Sequence, residues 1–217
     1  MLNRPPRFLL TALAHLKSRH EVEGSQIEEF FSTKERKAAA HESTGFARPN
    51  DEDCLYHADY NHVYRIGDRC ISCDRSKLIS RPPRDSLGLQ ESQVHFGLIA
   101  SLNRHIKDGK ERDQLAQDSG VCGVGTGVAG IISAFPCLVI LGISDYADSH
   151  SNCNWEAHAS AAAAVYAKEL LLSISPDAIE NAPTAREFEL SSGENILNTR
   201  SWYRSYRKLS LSLLLIL

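Results

Sequence analysis

The chain has 217 residues, of which 42% are hydrophobic and 24% are charged, and 24 Lys and Arg against 27 Asp and Glu give a formal net charge of -3. This length suits one ordinary domain with tails, and the balance of apolar and charged residues excludes a disordered chain. The absence of a strong positive charge argues against nucleic acid as a partner.

Two features of the chain ends favour a cytoplasmic protein without a membrane partner. The N-terminal stretch has no sustained apolar core followed by a small-residue cleavage site, so a secretion signal is not predicted. The apolar run at 209–217 is far shorter than the ~20 residues that a spanning helix needs. The 6 cysteines are then expected to be reduced thiols.

The first part of the chain is predicted to begin with two helices and to continue as irregular structure. Apolar residues at three-to-four spacing predict a helix over 6–19. Ser25 followed by Glu28 is typical of a capping box that opens a second, short helix. Residues 34–53 are polar without periodicity, and 54–92 are predicted as loop with one short strand.

Strands and helices alternate in the second part. Residues 94–101 and 137–144 are apolar with β-branched side chains and predict strands, the second of them covered by helices on both faces of a sheet. Helices are predicted around 112–117 and over the Ala-rich stretch 155–172. This alternation predicts an α/β layered domain, and the residues after Pro176 are interpreted as a polar linker and tail.

Asp145 is the strongest single candidate for chemistry. It lies in GISDYADSH (142–150), where an apolar strand emerges into a loop, which is the usual place for ligand-binding groups in α/β domains. A partly desolvated carboxyl there favours its neutral form and can act as a general acid. The alternative is that Asp145 or Asp148 caps the next turn, a common role of Asp after a strand.

Two patterns raise the question of a bound cofactor. Cys54, His57, Cys70 and Cys73 form a C-x-x-H followed by a C-x-x-C, a spacing compatible with tetrahedral zinc. Because the C-x-x-C also suits ordinary packing of small residues in a loop, no metal is predicted and these four remain weak candidates. The G-x-G-x-x-G at 125–130 is followed within six residues by Phe-Pro, which leaves no room for the helix of a dinucleotide site.

Several motifs together resemble the nucleoside phosphorylase (purine/uridine phosphorylase-type) superfamily, in particular fungal members often linked to NACHT or ankyrin-repeat regions. The motifs are, in chain order, LNRPPRFLLTALAHLKSRHEVEGSQI, CISCDRS, RPPRD, HFGLIAS, RDQLAQDSGV and GISDYADSH with NWEAHASAAAAVYAKELL. The resemblance covers residues 1–186 and implies a three-layer phosphorylase-type domain, a central mixed sheet flanked by helices, that lacks its N-terminal strands. Residues 187–217 are expected to be a linker and a tail foreign to the family.

The resemblance assigns roles to residues on two stretches. Asp145 falls on the acidic residue that protonates or hydrogen-bonds the imidazole side of the purine, and Ser144 would orient it. Asn103 and His105 follow the strand that precedes the base-binding segment and are expected near the base.

A third stretch departs from the family. Thr126 and Gly127 occupy the positions of a Met-Glu pair that holds the ribose. Neither side chain can replace the glutamate, so ribose binding should be weakened.

The function implied by this resemblance is cleavage of the N-glycosidic bond of a purine nucleoside, by phosphorolysis or hydrolysis, with impaired activity in this chain. No cofactor is expected, and phosphate is the co-substrate only if the cleavage is a phosphorolysis. A nucleoside or nucleobase is the expected partner, together with further copies of the chain in a homo-oligomer. The alternative is a non-catalytic module of the same fold that serves interaction or sensing in a larger signalling protein.

Overall fold

The computed structural model describes residues 5–38, 46–49, 52–63, 70–81, 92–126, 136–151, 153–184, 187 and 208–216. The helices are α1 (Arg7–Glu23), α2 (Ile27–Ala38), α3 (Gly109–Ser119), α4 (Glu156–Leu172) and the short α5 (Pro176–Glu180). The strands are β1 (Gln93–Leu102), β2 (Val121–Thr126), β3 (Ile140–Ile143) and β4 (Lys208–Ile216). Helices and strands alternate as the sequence predicts, and the α/β class is confirmed.

A four-stranded mixed sheet has the order β2-β1-β4-β3. β1 pairs in parallel with β2 and antiparallel with β4, and β3 pairs in parallel with β4. Pairing runs from Gln93 opposite Ile216 to Ser101 opposite Lys208, the whole length of β4. Part of the predicted linker and tail thus contributes an inner strand, while the domain boundary at 186 and 187 stays a prediction.

The helices begin and end close to their predicted bounds. α3 starts where the Asp108 carboxylate accepts a hydrogen bond from the Lys110 N–H (2.9 Å), and it ends at Gly120, whose φ of 63° is the left-handed conformation that glycine adopts without strain. At the start of α2 the Ser25 hydroxyl accepts from the Ile27 N–H (3.2 Å), and Glu28 accepts hydrogen bonds from the backbone and the hydroxyl of Ser92. The reciprocal contact of Glu28 in the predicted capping box stays a prediction.

The main core lies between α1, α2 and α4. Leu16 of α1, Ile27 of α2 and Ala162 of α4 are completely buried there, together with Tyr166. Small residues on α4 let its backbone approach the sheet, and a Cβ on Gly142 of β3 would come within 1.9 Å of a backbone oxygen of α4. The Ala-rich sequence of α4 therefore sets its close packing on β3.

A buried carboxylate joins these three helices. Glu169 of α4 is 2% exposed and accepts hydrogen bonds from the Gln26 N–H (3.0 Å) and from the Ser25 hydroxyl (3.3 Å) at the start of α2. The Nε2 of His20, near the end of α1, lies 3.1 Å from the same carboxylate. Glu169 thus supplies, from a distant part of the sequence, acceptors for donors that the α1–α2 connection leaves without partners.

A second core packs α3 against β1 and β2. Its buried members are Ala100, Ile106, Leu115 and Val121. Ala147, in the loop that follows β3, packs against the same cluster. This contact brings the GISDYADSH loop next to α3, and it places the candidate site beside β1 and β2.

Candidate functional site

Asp145 is held by a tight turn at the end of β3. Its Oδ1 accepts a hydrogen bond from the Ala147 N–H (2.8 Å), and Ala147 has a φ of 51°, a conformation that costs a non-glycine residue energy. Asp148 repeats the motif by accepting from the His150 N–H (2.7 Å). The turn-capping alternative is therefore correct for both aspartates, and among the described residues Oδ2 of Asp145 has no hydrogen-bond partner.

Arg112 of α3 contacts the loop that carries Asp145. Its Nη1 donates to the Tyr146 carbonyl oxygen (2.9 Å) and lies 3.6 Å from Oδ2 of Asp148, which is 5% exposed. A buried carboxylate beside a guanidinium that also binds the loop backbone restrains the loop on both sides of Ala147. The position of Asp145 is set by these contacts as well as by its own turn.

The Tyr146 side chain ties the same loop to a distant segment. Its hydroxyl donates to Oδ1 of Asp53 (2.7 Å) and accepts from Nη1 of Arg81 (2.5 Å), while Arg81 and Asp53 form an ion pair of 3.2 Å. The Arg81 guanidinium also lies 5.3 Å from the centre of the Tyr146 ring. Burial, together with the hydrogen bond to Asp53, raises the pKa of Tyr146 to about 12.

A cluster of aromatic and imidazole rings includes His150 at the end of the loop. His150 stacks on Tyr56, with ring centres 4.1 Å apart and an angle of 20°, and the His62 ring lies 5.4 Å away. The backbone N–H of His62 donates to the Ser149 hydroxyl (2.9 Å). Burial lowers the pKa of His150, opposed in part by the nearby Asp148 carboxylate, so this ring favours the neutral form.

The cysteines of the C-x-x-C, Cys70 and Cys73, lie close to His62, whereas the sequence spacing suggests Cys54 and His57 as the further ligands. One ligand atom each from His62, Cys70 and Cys73 lies within 4.8 Å of the other two. Within the described ranges Cys54 and His57 are not part of this group. Only the C-x-x-C half of the weak zinc candidate therefore belongs to a group that could hold a metal.

The other predicted site residues are distributed along the sheet. Ser144 is half-buried directly after β3, Asn103 and His105 are exposed after β1, and Thr126 is exposed as the last residue of β2. Gly127 lies outside the described residues. The carboxylate of Asp145 accepts a hydrogen bond from its own turn, and that bond involves none of these other predicted residues.

Sequence reasoning did not identify the residues that hold the loop. They are Asp53, Arg81, Arg112, Tyr56, His62 and His150. Those before β1 lie more than 60 residues from the loop, so no local spacing relates them to it. The hydroxyl of Ser101 at the end of β1 is buried without a hydrogen-bond partner among the described residues, and no sequence pattern distinguishes it from a packing serine.

Comparison with known proteins gives one informative similarity. No family model matches the chain, and no solved structure matches it. A "Nucleotide-binding leucine-rich repeat (NLR)-like protein" of Hyaloscypha variabilis is 36% identical over 179 residues, which are 82% of this chain and 17% of that protein. Within the described residues no helix is long and apolar enough to cross a bilayer. The chain is thus related to one segment of a much longer NLR-like protein.

Proposed function

We propose that the chain is a nucleoside-handling module of an NLR-like signalling protein, built on a phosphorylase-type fold. In this proposal Asp145 contacts the base of a purine nucleoside and serves as the acid for cleavage of the N-glycosidic bond, with phosphate or water as the acceptor. The observation that carries the proposal is the restrained Asp145 carboxylate. Its Oδ1 is bound to the backbone of its own turn, and among the described residues its Oδ2 has no hydrogen-bond partner.

A carboxyl group that is already held in position would be a more effective proton donor. A departing purine takes up electrons as the glycosidic bond breaks, and a fixed proton donor at the base stabilises that charge without having to be reoriented. The strained Ala147 and the buried Arg112–Asp148 contact restrain the loop that carries Asp145. Backbone strain of this kind persists where the surrounding contacts overdetermine it, and it is concentrated at functional sites.

The remaining assignments of the base and sugar sites are part of the same proposal. Ser144, adjacent to the acid, would orient the carboxyl, and the exposed Asn103 and His105 would contact the base edge. The sugar site is weak, because Gly127 stands at the position of the expected carboxylate and Thr126 at that of the methionine. A missing charge-assisted hydrogen bond costs about 1.5–3 kcal/mol, or one to two orders of magnitude in rate.

A second function, non-catalytic sensing, is favoured by the exposed Thr126 and by the name of the relative. A module that keeps base recognition by Asp145 and lacks a ribose anchor would bind a nucleoside or nucleobase without cleaving it. In an NLR-like protein, such binding could shift the conformation of the remaining domains. The enzymatic function and the sensing function share the same ligand and differ in whether a product is released.

The test combines binding and turnover on the 217-residue chain. Adenosine and inosine are supplied with and without phosphate, release of the base is followed by chromatography, and binding of adenosine and adenine is measured by calorimetry. Asp145→Asn removes the acid, and Asp177→Asn, an exposed aspartate of α5, is the matched control. Thermal unfolding verifies that both variants are folded.

Three outcomes separate the possibilities. Base release that falls by about 100-fold or more in Asp145→Asn and is unchanged in Asp177→Asn supports the enzyme, since that is the size of a general-acid contribution. Binding without release, weakened by Asp145→Asn, supports the sensing function. Failure of the folded chain to bind either ligand, or equal binding by wild type and Asp145→Asn, refutes both.

A further inference from the structure

The segments 52–63 and 70–81 bury side chains although they contain little regular structure. Their regular features are one isolated bridge between Tyr56 and Leu78 and a single 3-10 turn at Arg75–Lys77. Tyr56 is nevertheless 1% exposed and Cys73 is 6% exposed. The backbone joins the two segments through the His57 N–H to the Lys77 carbonyl oxygen (3.0 Å) and the Ile79 N–H to the Leu55 carbonyl oxygen (2.8 Å), and a bound metal ion would add a further cross-link between them.

Three metal-ligating side chains converge in these segments. The ligand atoms of His62, Cys70 and Cys73 lie within 4.8 Å of one another, and His62 is 9% exposed. In a tetrahedral zinc site with bonds of about 2.0–2.3 Å, ligand atoms are separated by roughly 3.5–3.8 Å. A contraction of about 1 Å or less, well within the reach of side-chain rotation, would close the group around an ion.

The backbone of the C-x-x-C turn supports the same arrangement. The Cys73 N–H donates to the Cys70 carbonyl oxygen (3.1 Å), which folds the two cysteines into one turn, and Cys70 has a φ of 53°. The Asp74 N–H donates to the Tyr60 hydroxyl (2.7 Å), so the turn is fixed next to the segment that carries His62. Both thiols and the imidazole therefore come from elements that are already restrained.

We propose that His62, Cys70 and Cys73 bind a structural zinc ion. Two thiolates and one imidazole are ligands that zinc prefers, and these side chains would supply three of the four ligands of a tetrahedral site. From the sequence no metal is predicted, and only Cys54 and His57 are considered as partners of the C-x-x-C. The proposed site takes its imidazole from His62 instead. It does not depend on the proposed nucleoside chemistry.

The ion would stabilise the loop after β3 as well as its own segments. The backbone N–H of His62 donates to the Ser149 hydroxyl. The His62 ring contacts the His150 ring, which stacks on Tyr56. A ligand bond to His62 would fix these contacts, which lie four and five residues after Asp145. Loss of the ion should loosen the candidate site before it unfolds the helical core of α1, α2 and α4.

The first experiment measures metal content. The purified 217-residue chain is expected to hold one zinc ion per chain by elemental analysis, and Cys70→Ser and Cys73→Ser are expected to lose it. Cys153→Ser, at an exposed cysteine outside the group, is the control that should retain the ion. Zinc that persists in both Cys70→Ser and Cys73→Ser, or a disulfide between Cys70 and Cys73 in the folded wild-type chain, would overturn the assignment.

A second measurement covers the case in which these variants do not fold. The wild-type chain is stripped with a chelator and titrated with Co²⁺, whose thiolate charge-transfer and intense visible bands report tetrahedral coordination by sulfur. We expect saturation at one equivalent, displacement by Zn²⁺ and a higher thermal midpoint with either metal than without. A stripped chain that shows no such bands and melts at the same temperature with and without zinc has no such site.

Discussion

The buried carboxylate of Glu169 offers a direct test of how the helices are joined. Its two oxygens lie within 3.3 Å of three donors, on Gln26, Ser25 and His20. Glu169→Gln preserves the size of the side chain but removes the charge and replaces one acceptor oxygen by an NH₂ group. The amide oxygen can keep the contacts with the Gln26 N–H and His20, and the NH₂ group can donate to the Ser25 hydroxyl, so the main loss is the charge that strengthens these contacts.

The magnitude follows from the number and kind of hydrogen bonds. A hydrogen bond to a charged group contributes about 1.5–3 kcal/mol, and the amide retains part of the set, so Glu169→Gln should cost about 2 kcal/mol. For a domain of this size that lowers the thermal midpoint by about 4–8 °C. Glu169→Ala leaves all three donors without the carboxylate and should cost about 3–5 kcal/mol, a large part of total stability.

The assay is equilibrium unfolding by urea and by heat, with far-ultraviolet circular dichroism as the signal. Glu156→Gln, an exposed glutamate in the first turn of α4, is the control and should lie within about 0.5 kcal/mol of wild type. Ser25→Ala combined with Glu169→Gln should be less destabilising than the sum of the two changes, because the residues share a hydrogen bond. If Glu169→Gln unfolds at the same midpoint as wild type, this carboxylate does not join the helices.

Two further substitutions test the loop and the sheet. Gly142→Ala should lower the free energy of unfolding by about 1–3 kcal/mol, because the new Cβ would lie 1.9 Å from the Ala159 carbonyl oxygen and α4 would have to move; an unchanged urea midpoint would disprove this close packing. Tyr146→Phe should reduce the absorbance step near pH 12 in an alkaline tyrosinate titration by one tyrosine, because the pKa of Tyr146 is raised to about 12 from 10.0; Tyr56, whose pKa is also raised to about 12, keeps the rest of that step. The unfolded chain releases this proton at lower pH than the folded chain, so the contribution of Tyr146 to stability is present below pH 10 and is lost as the pH rises towards 12. A loss of absorbance near pH 10 instead would show that the hydroxyl is not held by Asp53.

The sequence predicted those parts of the fold that local periodicity determines. Apolar spacing located α1 and α4, and the apolar run of β1 was found almost to its ends, because helices and strands impose their own repeat on neighbouring residues. The double turn at Asp145 and Asp148 was also accessible as an alternative, since a short carboxylate that accepts a backbone N–H two residues later acts within its own turn. The phosphorylase-type architecture, in contrast, stays a prediction.

Tertiary structure decided the contacts between residues that are far apart in the chain. At the start of α2, Glu169 accepts from the Gln26 N–H although it lies more than 140 residues away, and Glu28 binds Ser92; no local pattern indicates either contact. Part of the predicted tail became an inner strand because its backbone pairs with β1 and β3, and nothing in its local pattern specified those partners. His62 joined the C-x-x-C for the same reason: ligand spacing along the chain counts residues, whereas a site is formed by side chains that packing brings within a few ångströms of one another.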